Sequence, residues 1–174
     1  LDIVLNRQVA DMILDNAIDI GFLGAPVADE KIRSGAFMKD ELVLIVPAGH
    51  AWAGKDAVEP HALATQPFII SRQGSGTRRI IEERLTQAGV VLADRIEFGH
   101  TEAVKKAVES GLGVSIISRA AITREEHLGV IKALRLDGVD MTRDFYFAYR
   151  KDKYMTRAAK AFLECAVYGE VPGR

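Results

Sequence analysis

The residue types with the most chemistry in them fall in Arg72-Gln73-Gly74-Ser75-Gly76-Thr77-Arg78-Arg79. This stretch follows a short apolar run, Pro67-Phe68-Ile69-Ile70-Ser71, and opens an amphipathic one, Thr77–Ala88. Glycines let a backbone come close to a bound group. N–H groups at a helix start point outward, at the end where the dipole favours negative charge. Ser75 and Thr77 add hydroxyl donors, and three arginines raise the local potential. That is the chemistry of a cradle for an oxyanion or a carboxylate. The same residues also make an ordinary helix cap, with Arg78 and Arg79 paired to Glu82 and Glu83 at i,i+4. The local sequence leaves both readings open. There is no GxxxxGK(S/T), so this is not a Walker loop. Ser75 lacks the G-x-S-x-G frame of a nucleophile elbow, and the third glycine of a dinucleotide fingerprint is missing. No cofactor is expected.

His100 and Thr101 hold a similar position, a short run (Arg95–Phe98) followed by Gly99 and then a helical pattern. Thr101 is a ligand hydroxyl or an N-cap. His100 is a donor to an anion or a solvent-facing ring. His50, His61 and His127 lie beside charge, Pro or Gly, and none forms an H-x3-H or H-E-x-x-H pair, so no metal is expected. The single cysteine, Cys165, falls on the inner half of the last helix and reads as core. Asp29-Glu30, Asp40-Glu41, Glu82-Glu83 and Glu125-Glu126 are neighbours in sequence that face apart, and they read as solvated faces. No catalytic constellation emerges.

The elements that must position these residues alternate. Leu1–Leu5, Ile18–Leu23, Glu41–Val46, Pro67–Ser71, Arg95–Phe98, Val114–Ile117, Val130–Leu136 and Phe145–Tyr149 read as strands or extended segments. Gln8–Asn16, Thr77–Ala88, Thr101–Ser110, Arg119–Leu128 and Thr156–Tyr168 read as helices. Gly24–Ile32 reads as a loop. Strand, helix, strand at this spacing predicts an α/β fold with mainly parallel sheets. Such sheets place ligands at the carboxyl ends of strands, beside helix starts. That rule selects three turns: Asn6-Arg7-Gln8, Ser71–Thr77 and Gly99-His100-Thr101.

Composition narrows the classes. The chain has 174 residues, 48% hydrophobic and 27% charged, enough to bury a core without staples. Lys+Arg 23 against Asp+Glu 24 gives a net charge of −1, which argues against a nucleic-acid grip. One cysteine excludes an intrachain disulfide and any multi-cysteine metal site. No apolar run reaches the ~18 residues of a membrane span, so no membrane partner is expected. The chain opens inside an apolar run on Leu1, which reads as a truncated or processed start.

Several stretches in series resemble the effector-binding (substrate-binding) domain of LysR-type transcriptional regulators. They are Ile18-Asp19-Ile20-Gly21-Phe22-Leu23, Glu41–Ala53 with Pro47-Ala48-Gly49-His50-Ala51-Trp52, Gly74-Ser75-Gly76-Thr77-Arg78, and Glu102-Ala103-Val104-Lys105 followed by Gly111-Leu112-Gly113-Val114-Ser115-Ile116-Ile117-Ser118. Tyr149-Arg150-Lys151 and the final helix match that domain's end. The resemblance implies a two-lobed fold like type 2 periplasmic binding proteins, with a small effector in the interlobe cleft. Lobe one would be 1–47 plus 145–174, and lobe two 48–144. Carried over to this chain, the effector contacts are Asn6, Arg7, Ser71, Gly74, Ser75, Gly76, Thr77, His100, Thr101 and Ser118.

The family's first βα unit is expected to be missing here, as is the winged helix-turn-helix through which such a protein binds DNA. The resemblance further implies a cytoplasmic homodimer or higher oligomer that senses a small anion or carboxylate and is not an enzyme. Two other classes share the scaffold. One is a periplasmic solute-binding protein of a transporter. The other is a small enzyme, for which only His100 offers an acid or base.

Overall fold

The structure, a computed structural model, describes residues 6–169, with Asn6, Arg7 and Tyr168 described by their backbone alone. The expected strand Leu1–Leu5 lies outside the described residues. The chain divides into two compact units, one of residues 1–39 and 143–174, the other of residues 40–142. Strands β2 (Ile32–Pro47) and β8 (Thr142–Arg150) contain the two points where the chain passes from one unit to the other.

In the second unit the sheet order is β7 (Ile131–Leu136), β2, β6 (Val114–Ser118), β4 (Phe68–Ser71), β5 (Arg95–Phe98), and the short β3 (Ala57–Val58) pairs with β7. β5, β4 and β6 run parallel, while β2 is antiparallel to both β6 and β7. The sequence of β2 explains its place. Leu42–Val46 is buried without a break, so both faces must be covered. Leu42, Leu44 and Val46 join Phe68, Ile70 and Ile116 in one cluster, with Ile81 and Leu85 of helix α2 (Gly76–Gln87). Val43 and Ile45 join Ile69 and Ile117 in another, with Val104, Ala107 and Val108 of α3 (Thr101–Glu109). The two helices therefore cover opposite faces of one sheet.

Between β4 and β6 the backbones come unusually close. Val114 N–H donates to Pro67 O at 2.9 Å, and a Cβ on Gly113 would press into that same carbonyl. Gly113→Ala is expected to lower stability by about 1–3 kcal/mol, the range for overpacking a site that cannot yield. Urea unfolding of the variant checks this.

In the first unit α1 (Asn6–Leu14) sets Val9 and Ile13 against Leu23 of β1 (Ile20–Leu23), Ile32 of β2 and Ala148 of β8. β1 pairs antiparallel with β8, Ile20 opposite Tyr149. Arg150 ends β8 by donating to Leu14 O at 2.7 Å, and its guanidinium also grips both oxygens of Asp152 at 2.6 and 3.0 Å. Helix α5 (Arg157–Tyr168) starts on Thr156, whose hydroxyl accepts from Ala159 N–H.

Four local expectations change. The strand expected at Glu41–Val46 begins at Ile32, because β8 pairs with a stretch whose own residues are half polar. The expected loop to Ile32 therefore ends in a strand. The helix expected over Arg119–Leu128 is two short pieces, a 3-10 turn Arg119–Ala121 and α4 (Thr123–His127), broken where Ile122 is drawn fully into the core. Cys165 is exposed rather than core. It shares that exposure with Ala158, Phe162 and Ala166 of α5, while Ala159, Leu163 and Val167 are half-buried.

Candidate functional site

Register brings the candidate turns together. Ser71 at the end of β4 lies opposite Phe98 at the end of β5, and Arg72 N–H carries the ladder one step further to Phe98 O at 3.0 Å. On the other side of β4, Ile69 lies opposite Ser115, and β6 ends three residues on, at Ser118. The three parallel strands thus finish at one edge of the second unit. Ser71, Gly74, Ser75, Gly76, Thr77, His100, Thr101 and Ser118 all belong to that edge or to the helix starts that follow it.

The β4–α2 turn closes through Gly74 at φ +86°, a conformation that a side chain would strain. Ser75 is the N-cap, and its Oγ accepts from Arg78 N–H at 3.4 Å while its carbonyl accepts from Arg79 N–H at 3.1 Å. Gly76 N–H comes before both and has no acceptor among the described residues. The capping role is therefore real, and it leaves the Ser75 hydroxyl hydrogen free to donate outward.

The three arginines divide their work. Arg78, only 15% exposed in its side chain, donates to Glu82 at 2.9 Å, to Ser71 O at 3.2 Å and to Glu97 at 2.6 Å. It ties the ends of β4 and β5 to the first turns of α2. The Glu82 bond, opposed by burial and reinforced by Glu97, raises its already high pKa. Arg79 pairs with Glu83 on the exposed face at 2.8 Å. The expected i,i+4 pairs are thus both present. Arg72 is exposed and makes no side-chain hydrogen bond or ion pair among the described residues. It is the cation of this turn with charge to spare.

His100 caps α3, its Nδ1 accepting from Ala103 N–H at 3.3 Å. With Nδ1 used, the neutral ring carries its proton on Nε2, where it is a donor to the outside. Thr101 is exposed beside it. Ser118 behaves differently. Its hydroxyl donates to Asp40 Oδ1 at 2.6 Å, so toward an anion it offers only lone pairs. Asn6 and Arg7 open α1 in the other unit, and their side chains lie outside the described residues.

Two carboxylates read as solvated are buried instead. Asp40 is 6% exposed beside Ser118, and Glu125 is 7% exposed. Their sequence neighbours Glu41 and Glu126 face outward and pair with Arg119, as the alternation of directions predicts. Beneath α3, Lys105 Nζ contacts Glu125 Oε1 at 3.0 Å, Glu102 Oε1 at 2.8 Å and Ala121 O at 3.0 Å. Sequence reasoning missed this buried pair. The available signal was a lysine at the position where α3's apolar stripe, Val104, Ala107 and Val108, continues inward. Among the described residues no group of three His, Cys, Asp or Glu is placed to hold a metal.

The same scaffold recurs in known proteins. The model of the LysR substrate binding domain family matches residues 1–168. A RuBisCO operon transcriptional regulator of Allochromatium vinosum is 33% identical over 164 residues, 94% of this chain and 54% of that protein. The chain thus spans about half the length of that relative. The structure of the Synechocystis PCC6803 CcmR regulatory domain in complex with 2-PG matches 97% of this chain and 81% of that one, with a TM-score of 0.87 and 25% identity. The effector binding domain of QuiR in complex with shikimate covers 95% and 78%, with a TM-score of 0.82 and 21% identity, a likeness of fold. The paired α/β units, the parallel strands ending at one edge and the match along nearly the whole chain lead to one conclusion: this chain belongs to the LysR substrate-binding family and is an effector-binding domain with the periplasmic-binding-protein-like fold.

Proposed function

We propose that this domain senses a small anion or carboxylate at the carboxyl edge of β4, β5 and β6. The carrying observation is the set of donors left over at two adjoining helix starts: Gly76 N–H, the Ser75 hydroxyl, His100 Nε2–H and the Arg72 guanidinium. Thr101 extends the set by position, and Thr77, which already has a partner, lies beside it. Ser118 is the weakest member, because Asp40 already takes its hydrogen. Because Ser118 offers an anion only lone pairs, the anion sits toward the β4 and β5 turns rather than against β6.

The relatives with 2-PG and shikimate bound support a small-molecule effector. In the whole protein we propose that effector binding shifts the arrangement of a cytoplasmic homodimer or higher oligomer, and that DNA is held by another domain. The lobes would be 1–47 with 145–174, and 48–144. Kinship with transcriptional regulators supports this reading over a transport receptor or an enzyme.

Ser75→Ala and Thr77→Ala test it. Each is expected to weaken effector binding by about 1–3 kcal/mol, the value of a hydrogen bond to a charged group. Titration calorimetry against a panel of phosphate esters and carboxylates measures this. Wild-type affinity for every binder in both variants would sink the assignment of the site.

A further inference from the structure

We propose that the first unit carries a second small-molecule site, one that takes a zwitterionic amino acid with an aromatic or apolar side chain. A cavity of about 400 Å3 lies between the end of β8, the loop Lys151–Thr156 and the first turns of α5. That volume is within the range of small-ligand sites. Tyr149, Met155 and Leu163 form its apolar lining, and the Tyr149 ring is backed by a parallel Phe147 ring, 6.2 Å between centres.

The charges decide the ligand class. Lys153 is already neutralised by Asp19, 2.7 Å away. Lys160 and Glu164 also line the cavity, one helical turn apart, yet neither side chain has a hydrogen bond or ion pair among the described residues. A lysine placed N-terminal to its glutamate is the less favourable order for an i,i+4 bridge, which leaves both groups available. The cavity therefore offers one spare ammonium and one spare carboxylate, with no net charge once Lys153 and Asp19 cancel. A simple anion gains Lys160 but meets Glu164, and a simple amine meets the reverse. A molecule with both charges on one end and an apolar body satisfies Lys160, Glu164 and the apolar lining at once. None of these residues belongs to the edge of the second unit proposed for the effector.

The test is calorimetric titration of the 174-residue chain with L-phenylalanine, with phenylacetate and phenethylamine as single-charge controls. Saturable binding of L-phenylalanine is expected, with both controls at least about tenfold weaker. Lys160→Gln and Glu164→Gln are each expected to weaken it by about tenfold, while Ser75→Ala leaves it unchanged. Both substituted residues are exposed, so the variants should keep the parent's melting temperature. The proposal fails if L-phenylalanine shows no saturation up to about 10 mM. It fails equally if either control binds as well, or if both charge variants bind normally.

Discussion

Lys105→Ala is expected to lower the unfolding free energy by about 3–5 kcal/mol, because it strands a carboxylate that cannot reach water. Lys105 and Glu125 are 8% and 10% exposed in their side chains, and the Nζ–Oε1 distance is 3.0 Å. The second oxygen of Glu125 is buried with no hydrogen-bond partner, so the lysine is its main compensation. Replacing both residues, Lys105→Met with Glu125→Leu, should recover most of the loss, since no charge is then left buried. Urea unfolding of the two single variants and the double variant measures the coupling. A loss from Lys105→Ala no greater than that of an exposed lysine would remove the buried pair from the account.

The same pair sets a pH dependence. Burial pushes Glu125 up, but its hydrogen bond to Lys105, with a backbone bond and the charges of Lys105 and Arg124, holds it below the ordinary carboxylate value. Its contribution is therefore complete above that ordinary value and fades as the pH falls through the lowered folded one. Burial pushes Lys105 down, and its hydrogen bonds to Glu102 and Glu125 outweigh this and raise it. That contribution is complete below the ordinary lysine value and is lost as the pH rises through the raised one. In Lys105→Ala the upward push of burial on Glu125 is no longer outweighed by the lysine, so the loss of stability should be largest near neutral pH and shrink as the pH falls and Glu125 takes up its proton.

Phe68→Ala is expected to cost about 3–5 kcal/mol, the range for deleting a fully buried aromatic ring. Phe68 is 0% exposed, opens β4 and sits in the larger core cluster of the second unit. Its backbone N–H also bonds Asp94 O at 2.9 Å, so the strand that delivers Ser71 to the site is anchored at its far end. Effector affinity should fall with stability. Phe162→Ala is the contrast. That ring is 57% exposed on α5, and its loss should stay within about 0.5 kcal/mol in this chain. Thermal unfolding of both variants gives the comparison. Equal effects would mean that the α5 face is as closely packed as the core of the second unit.

Much of this protein is legible from periodicity. Leu42–Val46 had to be a strand covered on both faces, because five apolar residues without a polar break leave no side for water. The helix starts are legible to within a residue or two: the sequence places them at Thr77 and Thr101 and offers Thr101 as a cap, while the structure gives the caps to Ser75 and His100. The alternation of strands and helices then points to an edge where those starts meet, and the register of β4 with β5 brings them side by side there.

What stayed out of reach depends on partners distant in sequence. Residues 32–40 carry no strand pattern of their own and become β2 because β8 supplies the hydrogen bonds. Arg78 and Arg79 look alike in the sequence. Ser71, seven residues back, and Glu97, nineteen on, make the first a strut, while the second pairs with Glu83 on the surface. Asp40 and Ser118 are 78 residues apart, so nothing local shows that the serine's hydrogen is already committed. Residue order determined where the helices start, the buried strands and the class of fold, because those follow from near-neighbour sterics and the need to hide apolar faces. Which charges are spare and which are spent was decided by tertiary packing, because a charge is neutralised by whatever lies within a few ångströms, whatever its place in the chain.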